Sequence, residues 1–298
     1  LSLLSKETGV VFIVISGIYC MFFEKDKLLN IVLSGTFAVF VYIVLRFEIA
    51  GIYFPAYNMT PIANLNFAER LINIPSILNY YLSNYFWPAN IAINQNWIVK
   101  TVNLLNLILP VAVFSLLIRK NKISWFFVSI LILSLLPHIQ IIPLDVTVSG
   151  RWFYITSLGL LGALGILLNK TTEKLLIIPI VCFFLITFNR TYDFRNGLAL
   201  YSHDIKYDTN NYNLENNLGV EYYRLGSYEK AGLHFQKSVD LNPKWWTNYN
   251  NLGVYEEGRG NLDSASELYK TAINNGQYYL AYENYARVLI KQKRYKEA

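Results

Sequence analysis

An all-α chain in two parts is what the sequence predicts: a polytopic transmembrane helical bundle over residues 1–189, then an α-solenoid of short repeats over 212–298, joined by 190–211. Three observations carry that prediction. Apolar residues fill 54% of the 298 positions and charged residues only 15%, which is too greasy for one soluble fold. The apolar residues collect in long runs up to about residue 189, and charge returns to ordinary density after it. Beyond that boundary a pattern of Asn, Leu-Gly, Ala and an aromatic recurs at a spacing of 34.

Apolar stretches near the roughly 20 residues that a bilayer-crossing helix needs fall at 1–23, 28–47, 100–118, 123–142, 151–168 and 174–189, which predicts six spans. The connections at 24–27, 119–122 and 169–174 are short and lysine-rich, so the positive-inside rule places all three in the cytoplasm. Parity then forbids segment 71–88 from crossing. Asn73, Asn79 and Asn84 interrupt it, while Tyr80, Tyr81, Tyr85 and Trp87 are amphipathic aromatics, so an interfacial helix on the outer face is expected. The long stretches 48–70 and 89–99, the loop 137–150 and the repeats fall on that same face.

The net charge of +6 stands in clusters between apolar runs. No arginine-aromatic stretch suggests a nucleic-acid partner. Cys20 and Cys182 each lie alone in apolar sequence and are expected to be small buried hydrophobes. The first residue, Leu1, already lies in an apolar stretch without a basic n-region, and the chain is expected to be a piece of a longer one.

In the repeats, Asn217-Leu218-Gly219, Gly226, Ala231 and Phe235 return as Asn251-Leu252-Gly253, Gly260, Ala265 and Tyr269, and a third copy opens at Asn284. This is the tetratricopeptide pattern of stacked helical hairpins. Counting back one period turns Ala231 and Phe235 into Gly197 and Tyr201, so 192–208 reads as a degenerate second helix. Leu218, Gly219, Ala231, Phe235, Leu252, Ala265 and Tyr269 are packing positions. Asn217, Asn251 and Asn284 recur at one position of each first helix, and a row of amides can both donate to and accept from an extended peptide backbone. This arrangement resembles the asparagine ladder of O-linked N-acetylglucosamine transferase. Asn213, Asn216, Tyr223, Arg224, Asn250, Glu257, Arg287 and Lys291 are its expected neighbours, and the expected partner is a polypeptide.

Chemistry in the first part has few candidates. Lys6 and Glu7 are adjacent charges in the first apolar run, His138 stands with Gln140 and Asp145 in the outer loop, and Arg151 opens the fifth stretch beside Trp152 and Tyr154. A guanidinium there suits a phosphate oxyanion. Near His138 no second His or Cys stands at metal-binding spacing, so no metal is expected.

Leu-Ser-Lys-Glu-Thr-Gly at 4–9, Tyr-Phe-Trp-Pro at 85–88, Ile-Ile-Pro-Leu at 141–144 and Arg-Trp-Phe-Tyr-Ile-Thr-Ser-Leu-Gly at 151–159, with repeats following, resemble multi-span GT-C type glycosyltransferases. They are similar to the transmembrane and TPR-containing protein O-mannosyltransferases and their bacterial relatives. The resemblance implies sugar transfer from a polyprenyl-phosphate donor to a protein or glycan acceptor held by the repeats. It implies no cofactor beyond that lipid-phosphate sugar. Arg151, Lys6, Glu7 and His138 are then candidates for holding the donor phosphate. The family's catalytic acidic base lies in a first outer loop, expected upstream of Leu1, so the piece by itself is expected to be inactive. Gly150 stands where the family tends to carry an acidic residue before the Arg. A bacterial cytoplasmic membrane, with extracytoplasmic repeats, is the expected location. Two other readings are a membrane-anchored repeat scaffold and a polymerase or ligase of lipid-linked glycans.

Overall fold

The structure is a computed structural model that describes residues 9–51, 60–88, 91–118, 121–168, 173–276 and 278–298. Thirteen α-helices and one two-stranded ladder run through the described residues. Seven helices form the apolar part: α1 (Val10–Phe23), α2 (Leu28–Ile43, continued by a wider turn at Val44–Ile49), α3 (Phe67–Phe86), α4 (Ile108–Leu117), α5 (Lys122–Leu135), α6 (Tyr154–Gly165) and α7 (Ile177–Thr191). A short helix, α8 (Gly197–Asp204), leads to α9 (Tyr212–Arg224), α10 (Tyr228–Leu241), α11 (Trp246–Gly258), α12 (Leu262–Asn275) and α13 (Tyr279–Lys291).

The core of the first part is built by α3, α4, α5 and α6, where Ile77, Leu82, Leu117, Leu131 and Leu160 are fully buried. Glycine sets how closely α5 and α6 approach. A Cβ on Gly159 would lie 2.5 Å from the backbone nitrogen of Leu131, a contact only hydrogen in its place allows. Gly162 meets the ring of Phe127, so the two helices run antiparallel. On α1, Tyr19 and Phe23 meet Phe126 at ring-centroid distances of 6.0 and 5.5 Å, while Val10 and Val11 share a small cavity with His138 and Trp152. Helix α1 is therefore also antiparallel to α5. These directions bring Lys25, Lys27, Lys122 and the C-terminal end of α6 to one end of the bundle. The loops around His138 and Arg151 lie at the other.

Six spans were expected; among the described residues two helices, Lys25–Ile49 and Ile177–Arg195, are long and apolar enough to cross a membrane. Val10–Phe23, Leu104–Leu117 and Lys122–His138 are apolar but shorter. Local chemistry trims them. Asn103 and Asn121 cap the starts of their helices by accepting N–H groups from Leu105 and Ser124, and Ile118 turns extended to end α4. The stretch 151–168 divides into a tight turn, Gly150–Phe153, and α6.

Segment 71–88 belongs to a helix that packs one side into the core through Ser76, Ile77, Tyr81 and Leu82 and leaves Leu71, Phe86 and Trp87 exposed. Helix α3 starts with a reciprocal capping box, in which Asn66 and Glu69 each accept the other's backbone N–H at 2.9 and 2.8 Å. Asn73, read from sequence as a mark of the interface, is fully buried. Its amide donates to Val99 O at 3.2 Å and accepts from Val99 N at 2.7 Å, latching the following loop to the helix. Cys20 is buried as expected, but Cys182 stands on the exposed face of α7.

In the second part the packing positions are as expected. Ala231, Ala265 and Tyr269 are fully buried and Leu218, Phe235 and Leu252 nearly so, with Gly219 and Gly253 facing the rings of Phe235 and Tyr269. Gly226 and Gly260 end the first helices of two repeats at φ of +73° and +83°, where a side chain would be strained.

Candidate peptide-binding groove and its joint to the bundle

The first helices of the three repeats, α9, α11 and α13, stand side by side. Asparagine amides cross between them in a continuous chain. Asn251 donates to Asn216 Oδ1 at 2.9 Å, Asn250 to Asn251 Oδ1 at 3.2 Å, and Asn284 to Asn250 Oδ1 at 2.8 Å. Asn216 and Asn250 are buried and Asn251 and Asn284 half-buried. The row predicted through Asn217 is thus displaced by one residue at its start: Asn216 makes the link, and Asn217, half-buried, makes no side-chain hydrogen bond among the described residues.

The other predicted groove residues take different roles. Asn213 supplies a backbone N–H to the cap residue Asn211 at 3.0 Å. Tyr223 packs edge-on against Tyr228 and closes on Gly258 of the next repeat. Arg224 is exposed and pairs with Glu221 at 3.1 Å on its own helix. Glu257, Arg287 and Lys291 form a clamp: Arg287 donates to both carboxylate oxygens at 3.0 and 2.8 Å, Lys291 donates at 2.8 Å, and Tyr269 adds its hydroxyl at 2.8 Å. The Glu257 side chain is 7% exposed. Arg287, with Lys291 and Tyr269, holds its carboxyl at a pKa of about 2 against the opposing effect of burial. A similar knot closes the first repeat, where His234 and Lys237 meet buried Glu215 at 2.7 and 2.6 Å. Burial opposes ionisation of Glu215, but these two partners prevail and its pKa is lowered.

The half repeat read from sequence at 192–208 was expected to dock the repeats on the first part; the contacts that form this joint were not foreseen, and within it the helix spans Gly197–Asp204. Strand β1 (Asn94–Gln95) pairs antiparallel with β2 (Val148–Ser149), with Asn94 opposite Ser149. This ladder ties the α3–α4 loop to the α5–α6 loop. Two carboxylates from the repeat side then cap backbone N–H groups beside it. Asp204, 0% exposed, accepts from Ile93 N at 2.9 Å, and Asp208 accepts from Asn96 N at 2.6 Å. Arg190, the last basic residue of α7, bridges to Asp204 at 2.6 Å and to Asp193 at 2.9 Å, with His203 Nδ1 2.6 Å away. Helix α8 packs on α9, with Gly197 against the Glu221 side chain. The repeats are therefore docked to the end of the bundle opposite the lysines. The signal available in the sequence was Asp204 and Asp208 at four-residue spacing in a short linker.

Of the four predicted donor-phosphate residues, the described structure holds Arg151 and His138. Lys6 and Glu7 lie outside the described residues. Arg151 is 52% exposed and pairs with Asp145 at 3.0 Å. The imidazole of His138 stacks on Trp152 at a centroid distance of 5.0 Å. Gln140, at φ +64°, is fully buried and organises the loop through Val146 O and Thr147 O, both at 2.9 Å.

Residues 216–244 match the tetratricopeptide repeat family. The match begins at Asn216 and covers most of α9, all of α10 and the turn into α11. No curated protein matches the chain.

Proposed function

We propose that the chain is a membrane-anchored tetratricopeptide scaffold whose repeats bind an extended segment of a partner protein. The amide chain through Asn216, Asn251, Asn250 and Asn284 carries this reading. Each amide has two N–H groups and an oxygen with two lone pairs, so the internal links leave capacity for a peptide backbone. Display of extended peptides against the detergent-solubilised chain identifies a binder. Asn251→Ala, which removes two of the three links, is then expected to weaken it by about 1–2 kcal/mol. Undiminished binding would return the amides to a structural role.

Support for the anchor comes from α2 and α7. Apart from Gly35 on α2 neither buries a residue, and Phe37, Phe40 and Phe184 are 68%, 61% and 65% exposed. Apolar faces of that extent need lipid or protein against them. The common end of the lysine-bearing connections supports a cytoplasmic assignment for them. In a chain lacking Cys20 and Cys182, an impermeant thiol reagent added from outside is expected to label Lys244→Cys and to spare Asn121→Cys. The opposite pattern would reverse the topology.

The second reading is sugar transfer from a polyprenyl-phosphate donor by a GT-C type enzyme. One observation favours it: Arg151 and Asp145 form an accessible pair at the end of the bundle where the repeats dock, so an acceptor on the repeats lies on the same side. In the intact protein Arg151→Ala is expected to reduce donor use without unfolding; unchanged transfer would remove Arg151 from such a site.

A further inference from the structure

Between α3, the residues Pro88, Ile91 and Ala92, α6 and α7 lies a cavity of about 550 Å³ with almost wholly apolar walls, including Tyr85, Phe153, Leu161 and Phe183. A second cavity of about 210 Å³ adjoins it. The two share Pro88, Ile91, Ile186 and Arg190, and the smaller adds Asn189, Asp193 and His203. One compartment is apolar and the other polar, with Arg190 on the boundary.

Arg190 is only 11% exposed, and its two terminal nitrogens are engaged by Asp193, Asp204 and His203. Its Nε is buried and has no hydrogen-bond partner among the described residues. A buried guanidinium N–H left unpaired is unfavourable, and an oxyanion is its natural complement. Two carboxylates already outnumber the single guanidinium, however, so a ligand bearing only phosphate would add repulsion. A head group that couples a phosphodiester to an ammonium resolves both demands: a phosphate oxygen accepts from the Arg190 guanidinium at the boundary of the two cavities, and the ammonium turns to Asp193, whose side chain is 25% exposed. The larger compartment then takes an aliphatic chain.

We propose that the two cavities together bind one zwitterionic aminophospholipid, head group at Arg190 and Asp193, one acyl chain among Tyr85, Phe153, Leu161 and Phe183. The inference rests on the membrane-anchor reading above. Its occupant would wedge α7 against the bundle directly beneath the joint that carries the repeats.

The test uses the full chain. Resistance of the membrane-bound chain to alkaline carbonate is measured first, and release by carbonate would remove the anchor and this proposal together. The chain is then reconstituted in vesicles of phosphatidylethanolamine with a minor share of phosphatidylglycerol, containing phosphatidylethanolamine with a photoactivatable acyl chain. Crosslinks are expected on the peptides holding Tyr85, Leu161 and Phe183, competed by unlabelled phosphatidylethanolamine. Leu161→Trp and, separately, Thr187→Trp fill the larger cavity and should each lower that yield about tenfold, equivalent to 1.4 kcal/mol, with helicity by circular dichroism retained in at least one. Asp193→Asn should lower capture of the phosphatidylethanolamine probe but not of a phosphatidylglycerol probe. A carbonate-resistant chain whose crosslinks fall only on outward positions such as Phe37 and Phe184, or are unchanged in both Trp variants, would overturn the proposal and leave the anchor standing. Stronger labelling of the cavity by a phosphatidylglycerol or polyprenyl-phosphate probe would overturn the head-group assignment.

Discussion

Replacing Glu257 by Gln tests whether the repeat array is held by side-chain clamps across its hairpins as well as by packing. The carboxylate receives Arg287, Lys291 and Tyr269 at 2.8–3.0 Å, joining α11 to α12 and α13. Its pKa falls from 4.5 to about 2, chiefly through the Arg287 hydrogen bonds. At 1.36 kcal/mol per tenfold step, that drop favours the carboxylate by about 3 kcal/mol. Arg287 and Lys291 are about half exposed, so solvent screening reduces the share reaching stability to about 1–2 kcal/mol. Because the folded pKa is depressed, the contribution is complete above pH 4.5 and is lost as pH falls toward 2. Hydrogen exchange of the α13 amides at pH 7 is the assay. A cost of 1–2 kcal/mol speeds exchange through local opening by roughly 5–30-fold. The denaturation midpoint of the wild type should also fall between pH 4.5 and 2 by more than that of E257Q. Exchange in α13 that is the same with and without the carboxylate would refute the clamp.

Three further outcomes follow from the joint and the core. Arg190→Ala leaves the buried Asp204 carboxylate without its guanidinium, at a cost of about 3–5 kcal/mol, and should expose the linker to trypsin at Arg195 and Lys206; Asp204→Asn in the same chain should recover part of the protection, since the Asn oxygen can still accept from Ile93. Asp208 is raised above 3.8 by burial, so in the folded state its charge is disfavoured and the joint tightens as pH falls toward its pKa; Asp208→Asn should therefore be tolerated in the same proteolysis assay, while Asp208→Ala, which strands the Asn96 N–H, should cost about 1–3 kcal/mol. Gly159→Val forces α5 from α6, because its Cβ would stand 2.5 Å from Leu131 N, and a loss of about 1–3 kcal/mol or more is expected by chemical denaturation in detergent.

The repeats were legible because their signal is periodic and local. Ala231 and Phe235 recur as Ala265 and Tyr269, each pair on one face of a helix, and the structure buries all four. The bundle was legible in its polarity but less so in its elements. Loop charge grouped Lys25, Lys27 and Lys122, and antiparallel packing puts them at one end, because both follow from the count of chain reversals. Helix lengths did not follow from hydropathy: a cap at Asn103 or Asn121 costs one polar residue, too little to alter a window average, yet it fixes where a helix starts. Asn73 shows the same limit in another form. A polar residue in an apolar run reads alike whether it faces an interface or, as here, satisfies both backbone groups of Val99 from within the core. The joint was least legible of all, since Asp204 with Ile93 and Asp208 with Asn96 are contacts across more than a hundred residues. Burial converts these two ordinary linker carboxylates into the groups that fix where the groove stands relative to the bundle, and only the folded chain shows which linker residues are buried.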